Sequence, residues 1–274
     1  MQVDAHHHVW SLARGDYGWL TPNLEPIYRD FSLADHMPLA RWANVDASVL
    51  VQAAPTLAET HYLLDVAKHS ANFVRAIVGW VDLASADAVP QLARLRREPL
   101  LKAIRPMLQD HPEDWLLQPS VQAALEAFPR LGLRLEALVR PEHLPALLKT
   151  LERRPDLTVI VDHGAKPDIA GAAWQPWADR MRAVAAHPRV RCKLSGLATE
   201  AGPSWTIDTL RPYVAHLIDC FGAERLMWGS DWPVVELGGG YKRWRAATIA
   251  LLKELDDAAR AGVLGENARR CYGF

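Results

Sequence analysis

Eight short, nearly continuous apolar runs, separated by amphipathic stretches, constrain this chain more than any other feature of its sequence. The runs are Val3–His8, Ala47–Gln52, Val74–Val81, Leu101–Pro106, Arg134–Val139, Thr158–His163, Arg189–Leu194 and Leu226–Asp231. Each is rich in Val, Ile or Leu with little polar alternation, the pattern of strands buried on both faces of a parallel sheet. Between them, Thr56-Leu-Ala-Glu59 has the form of a capping box opening a helix through Ala67. The Thr hydroxyl and Glu carboxylate there would satisfy orphan amides of the first turn. Leu144–Arg153, Trp177–Ala186, Ile207–Phe221 and the longest stretch, Tyr241–Ala261, place apolar residues three and four apart, as helices with one buried face do. Eight strands alternating with helices in one undivided chain predict an α/β fold, a single-domain (β/α)8 TIM barrel over residues 1–274. The main competitor is a Rossmann-like open sheet, and no G-x-G-x-x-G follows the first run to support it. Ser11–Arg41 carries Gly15, Gly18, Pro22, Pro26 and Pro38 without a clean helical period. It is expected to form a long loop after the first strand, folded over one barrel end.

Charge and composition narrow the partners. Lys and Arg total 31 against 32 Asp and Glu, a formal net charge of −1, so no broad electrostatic grip on nucleic acid or an anionic membrane is expected. No apolar run reaches the length of about 20 residues that spans a bilayer. The start, Met-Gln-Val-Asp-Ala-His-His-His, has neither the basic residues nor the apolar stretch of a signal peptide. Cys192, Cys220 and Cys271 are odd in number and far apart, which argues against a disulfide framework or a structural zinc site and for a reducing cytoplasm. The oligomeric state is left open, a homo-oligomer included.

In a (β/α)8 barrel the chemistry gathers at the C-terminal ends of the strands, so the polar residues ending each run matter most. The first run ends Asp4-Ala-His6-His7-His8. Side chains alternate along a strand, so His6 and His8 share one face and His7 takes the other. Two inward imidazoles form either a bidentate metal grip or a hydrogen-bonded histidine cluster. The sixth run ends Asp162-His163-Gly164, placing His163 over the barrel mouth or merely at the strand cap. The eighth ends Gly229-Ser230-Asp231-Trp232-Pro233. An aspartate closing an apolar run needs a partner, and Pro233 with the Gly238–Gly240 run makes a helix N-cap role doubtful. Strands 8 and 1 are neighbours in a closed barrel. Asp231, His6 and His8 can therefore converge, with His163 across the mouth.

With these ends the chain resembles the amidohydrolase superfamily, in particular its branch of metal-dependent hydrolases acting on sugar lactones. The matching segments are Asp4-Ala-His6-His7-His8-Val9-Trp10, Val51-Gln52, Ile104-Arg105-Pro106, Asp162-His163-Gly164-Ala165-Lys166-Pro167, Lys193-Leu194-Ser195-Gly196 and Gly229-Ser230-Asp231-Trp232-Pro233. The tail Glu266–Phe274 matches as well, so the resemblance spans essentially the whole chain. Many members pair the strand-1 histidines with a strand-4 lysine bridging two metals. Here strand 4 ends in Arg105-Pro106, and a guanidinium cannot bridge metals. The resemblance therefore implies one divalent ion at most, zinc by expectation, weakly held or dispensable, on His6, His8, His163 and Asp231.

The resemblance further implies hydrolysis of an aldonolactone such as L-fuconolactone, in sugar catabolism. Asp231 would be the general base that later returns its proton to the leaving alkoxide, with metal or the imidazoles, His163 among them, activating the carbonyl. Trp10 and Trp232, just beyond two strand ends, are candidates to stack on the sugar, with Trp80 near a third. Gln52, Arg105 and Lys166 are candidates to bind hydroxyls or the lactone carbonyl. One firm arginine fits a neutral lactone better than a dianion. Two rivals remain. A metal-dependent decarboxylase of an aromatic or unsaturated carboxylate would share the ligand residues but want more cations at the mouth, and would release carbon dioxide rather than acid. A non-catalytic metal- or sugar-binding barrel would bind substrate with no need of Asp231 as a base.

Overall fold

The computed structural model describes residues 1–274. The apolar runs become eight parallel strands: β1 (Val3–His7), β2 (Ala47–Val51), β3 (Val74–Gly79), β4 (Leu101–Ile104), β5 (Arg134–Ala137), β6 (Val159–Val161), β7 (Val190–Leu194) and β8 (Leu226–Trp228). They pair in sequence order from β1 to β8. The Asp231 amide donates to the His6 carbonyl at 2.8 Å and the His8 amide to the Trp232 carbonyl at 2.7 Å. These two bonds draw β8 and β1 together and give the expected (β/α)8 barrel. Gly229 lies in this seam, where an added Cβ would sit 2.6 Å from His6 Cβ.

Two apolar layers result. The larger packs the outer faces of the strands against the helices. The smaller is the barrel interior, built from Val3, Ala5, Val49, Val51, Ala76, Val78, Ala103, Ile160 and Met227. The last helix, Asn267–Tyr272, closes its floor with Ala268, Cys271 and Tyr272.

Several runs are longer than their strands because their last residues leave the ladder at the mouth. Thr158–His163 and Leu226–Asp231 end as strands at Val161 and Trp228. Beyond them His163 and Asp231 adopt positive φ of 54° and 58°. β1 carries a one-residue bulge between Asp4 and His7. As a result Asp4 and His7, three apart, both face outward onto His36. Asp4 Oδ2 lies 3.1 Å from His36 Nε2, and the His7 and His36 rings stack at 4.2 Å. The bulge leaves His6 facing the interior, a common use of such features beside functional sites.

Three helical expectations are corrected. Ser11–Arg41 is not all loop: a helix runs Leu33–Trp42 through Pro38. The Asp35 carboxylate accepts from the Ser32 amide at 2.9 Å and its hydroxyl at 2.7 Å, closing the N-terminus well enough for the helix to tolerate the amide missing at Pro38. Tyr241–Ala261 is two helices, Tyr241–Leu251 and Asp257–Ala261, because Asp256 caps a new start by accepting from the Ala259 amide at 2.7 Å. Thr56 caps the helix Leu57–Lys68 as expected. Glu59 does not close the box. Its carboxylate accepts from the Ala53 amide at 3.0 Å and the Tyr17 hydroxyl at 2.9 Å, and burial pushes it up to about 7.

Candidate active site

The ends of β1, β6 and β8 bring His6, His8, His163 and Asp231 to one point at the barrel mouth, all buried. His6 Nε2 lies 3.2 Å from His8 Nε2. Asp231 Oδ1 stands 3.4 Å from His8 Nε2, 3.6 Å from His6 Nε2 and 3.8 Å from His163 Nε2. A tetrahedral zinc ion with bonds near 2.0–2.1 Å holds its ligand atoms about 3.3–3.4 Å apart, so the His6, His8 and Asp231 atoms fit three corners of one such ion, and His163 borders them through Asp231. The donor set of three imidazoles and a carboxylate is also zinc-like. Outer partners orient two rings: His8 Nδ1 faces the Val51 carbonyl at 2.8 Å, and His163 Nδ1 meets Ser195 Oγ at 2.8 Å.

The turn that aims His163 is unusual. His163, Gly164, Ala165 and Lys166 all have positive φ, a region costing L-residues roughly 1–2 kcal/mol each. Gly196, at φ +68°, passes so close that a Cβ there would sit 2.6 Å from the His163 ring. Backbone strain concentrated at the two strand ends bearing His163 and Asp231 marks a site whose geometry the rest of the fold enforces.

A buried ionic column stands beneath. Lys193 Nζ lies 2.5 Å from Glu136 Oε2 and 3.5 Å from Asp162 Oδ1. Its distance to His6 Nδ1 is 3.2 Å. The Tyr272 hydroxyl donates to Glu136 from below, and Arg105 approaches Asp162 at 3.5 Å from the side. Burial, then Lys193, holds the His6 imidazole well below its usual range. Burial likewise lowers His163 to about 4 despite the pull of Asp231 and Asp162. Burial alone would raise the Asp231 carboxyl, but the surrounding imidazoles, His163 first, outweigh it and keep it well below the ordinary carboxylate range. Asp162 follows the same pattern under Lys193 and His6. Glu136 is the exception, pushed up to about 7 by burial against the attraction of Lys193. At neutral pH the mouth thus offers an ionised Asp231 beside the neutral imidazoles of His6 and His163.

Above these groups lies a cavity of about 140 Å³ lined by Trp19, Met107, Leu138 and Val234 together with His8, Arg105, Gln109, His163, Lys166 and Asp231. Its volume gives room for one small molecule rather than a polymer. A larger cavity of about 320 Å³ at the opposite end, lined by Arg134, Arg189, Arg191 and Arg270 with Asp156, contains no histidine.

The amidohydrolase family model matches residues 3–274. The chain belongs to the amidohydrolase family. It is 46% identical over 277 residues to a Burkholderia ambifaria protein named L-fucono-1,5-lactonase, covering 99% of this chain and 95% of that protein. A Burkholderia multivorans protein of the same name is 31% identical over 302 residues, covering 100% and 96%. Among solved structures, an amidohydrolase from Burkholderia multivorans with bound zinc superposes with a TM-score of 0.94 at 30% identity, covering 100% of this chain and 99% of that one.

Of the residues singled out in the sequence, this amidohydrolase brings His8, His163, Asp231, Arg105 and Lys166 to the cavity wall, with His6 directly beneath. Trp10 and Trp232 are corrected. They are 1% and 2% exposed. Trp10 donates its indole N–H to the Arg29 carbonyl at 2.8 Å, and Trp232 packs on Phe31 and His36. Neither reaches the cavity, nor does Trp80. The aromatic wall is Trp19, supplied by the Ser11–Arg41 segment and fixed by an indole bond to the Ala53 carbonyl at 2.7 Å. Gln52 lies behind Arg105, donating to its carbonyl at 2.7 Å and accepting nothing on Oε1. Sequence reasoning missed Trp19 and Glu136, and noted Lys193 only within a matching segment, with no role. Strand alternation could have found Lys193, since Arg191, Lys193 and Ser195 are spaced by two and share a face.

Proposed function

We propose that this amidohydrolase opens the ester of a neutral aldonolactone, such as L-fucono-1,5-lactone, to the free sugar acid. One observation carries the choice of a neutral substrate: the two Lys and Arg side chains in the cavity lining are already matched by carboxylates. Arg105 faces Asp162 at 3.5 Å and Lys166 faces Glu200 at 3.2 Å. A carboxylate substrate, as the decarboxylase alternative requires, would want uncompensated cations. The two relatives named L-fucono-1,5-lactonase support the same choice.

In this scheme Trp19 covers one apolar face of the sugar ring. The Asp231 carboxylate takes a proton from the attacking water as its oxygen bonds the lactone carbonyl carbon. It returns that proton to the ring oxygen as the carbon–oxygen bond breaks, so water adds across the ester. Arg105, in the cavity lining, is the side chain that would meet a carbonyl or hydroxyl oxygen. His6, His8, His163 and Asp231 would hold one divalent ion, zinc by the donor set, which supplies Lewis acidity when bound. No helix is long and apolar enough to cross a membrane, and three free cysteines support a reducing, cytoplasmic setting.

The test is a pH-indicator screen against a panel of aldonolactones, run beside Asp231→Asn. Acid release is expected from L-fucono-1,5-lactone, with kcat lower by at least about 100-fold in the variant and an unchanged thermal midpoint. Carbon dioxide release from a carboxylate, with every lactone inert, would reverse the assignment.

A further inference from the structure

Lys193 is fully buried on β7, faces the barrel interior and has no part in the scheme above. Besides Glu136, its ammonium touches His6 Nδ1 at 3.2 Å. An ammonium has three donors and no acceptor. The contact is a hydrogen bond only if His6 Nδ1 offers its lone pair, and a neutral ring with a bare Nδ1 carries its proton on Nε2. His8 is determined from its other side. Its Nδ1 lies 2.8 Å from the Val51 carbonyl oxygen, which can only accept. His8 therefore keeps its proton on Nδ1 and presents a bare Nε2, which faces His6 Nε2 at 3.2 Å. The donors then run one way: Lys193 to His6, His6 to His8, His8 to Val51. Asp231 Oδ1 stands 3.6 Å from His6 Nε2, beyond hydrogen-bond reach of that N–H, and 3.4 Å from the bare His8 Nε2.

We propose that Lys193 is a positioning residue: its bond to His6 Nδ1 fixes the Nε2–H tautomer, so that one N–H can tie His6 to His8 where a cation otherwise would, and a divalent ion must displace that proton to bind. The displaced proton has a destination on the same ring. From Nδ1 it would face Asp162 Oδ1 at 3.5 Å, but the Lys193 bond is then lost and two N–H donors oppose each other. Lys193 and the ion thus compete for His6. The site is organised in either state, and the ion is held more weakly than its ligand spacing alone would give. This inference rests on the barrel mouth being the lactone site, but its readouts do not depend on turnover.

The first readout is the nitrogen NMR spectrum of the His6 ring in ¹⁵N-labelled, chelator-stripped protein, assigned by its loss in His6→Gln. A bare Nδ1 and protonated Nε2 are expected. A protonated Nδ1, as would follow if Lys193 served only to neutralise Glu136, overturns the proposal. The second is zinc affinity by competition with a chromophoric chelator. Lys193→Met keeps the apolar stem without the donors and should bind zinc about tenfold more tightly or better. Unchanged or weaker binding overturns the competition. Should Lys193→Met fail to fold with Glu136 left unpaired, Lys193→Met/Glu136→Gln removes the stranded carboxylate and carries the same expectation. A protein inert toward every lactone would refute the proposed function while leaving both readouts intact.

Discussion

Trp19 and Trp10 make opposite predictions from one loop. Trp19 lines the cavity while Trp10 is sealed among Tyr17, Trp19 and Phe31. Trp19→Ala should raise KM for the lactone with little change in kcat, since a stacking wall binds ground and transition states alike. Trp10→Ala should cost about 3–5 kcal/mol of stability in denaturant unfolding and leave the KM of the surviving folded enzyme nearly unchanged. His163 supplies a pH signature. Its ring takes a proton at 6.5 when free but only at about 4 in the fold. Between those values the unfolded chain holds the extra proton, so stability falls as pH drops from 6.5 towards 4, by up to about 3 kcal/mol from this group. Melting curves in chelator should show that slope in the wild type and a flatter one in His163→Asn. The site histidines and Asp231 were legible in the sequence because each ends an apolar run. Trp10 and Trp232 misled because proximity along the chain to a strand end does not give side-chain direction, and Trp19 was hidden because it enters from a loop with no periodicity.

At the scale of elements, the strands were legible because burial on both faces leaves an unbroken apolar run. Their ends were not, since His163 and Asp231 leave the ladder through left-handed backbone that hydrophobicity does not mark. The helix Leu33–Trp42 was concealed by Pro38, whose cost is local and was outweighed by a closed N-terminus. The turn after β6 depends on the bare backbone beside it. Gly196→Ala should push the His163 ring aside and lower kcat by about 100-fold, the scale for a misplacement near 1 Å. The matched control is Gly18→Ala, where an added Cβ meets nothing within 4 Å, and steady-state kinetics of the two variants should differ by that factor.

Across the whole molecule, the alternation of strands and helices was enough to specify the barrel, while the ionic column inside it was invisible until the strands were placed around one axis. That column links the floor to the mouth: Tyr272 from the last helix bonds Glu136, Glu136 pairs with Lys193, and Lys193 reaches His6. Tyr272→Phe strands one buried carboxylate oxygen and should cost about 1–3 kcal/mol in denaturant unfolding. The seam between β8 and β1 has a consequence in time. His6 leaves the ribosome early and must wait for Asp231, whose backbone bond to it spans most of the chain. Such a long-range closure carries a large loop entropy and forms late. A nascent chain that has not yet emerged past β8 can build strands and helices yet possesses no catalytic centre, so chemical competence arrives in a single step, with the closing of the ring.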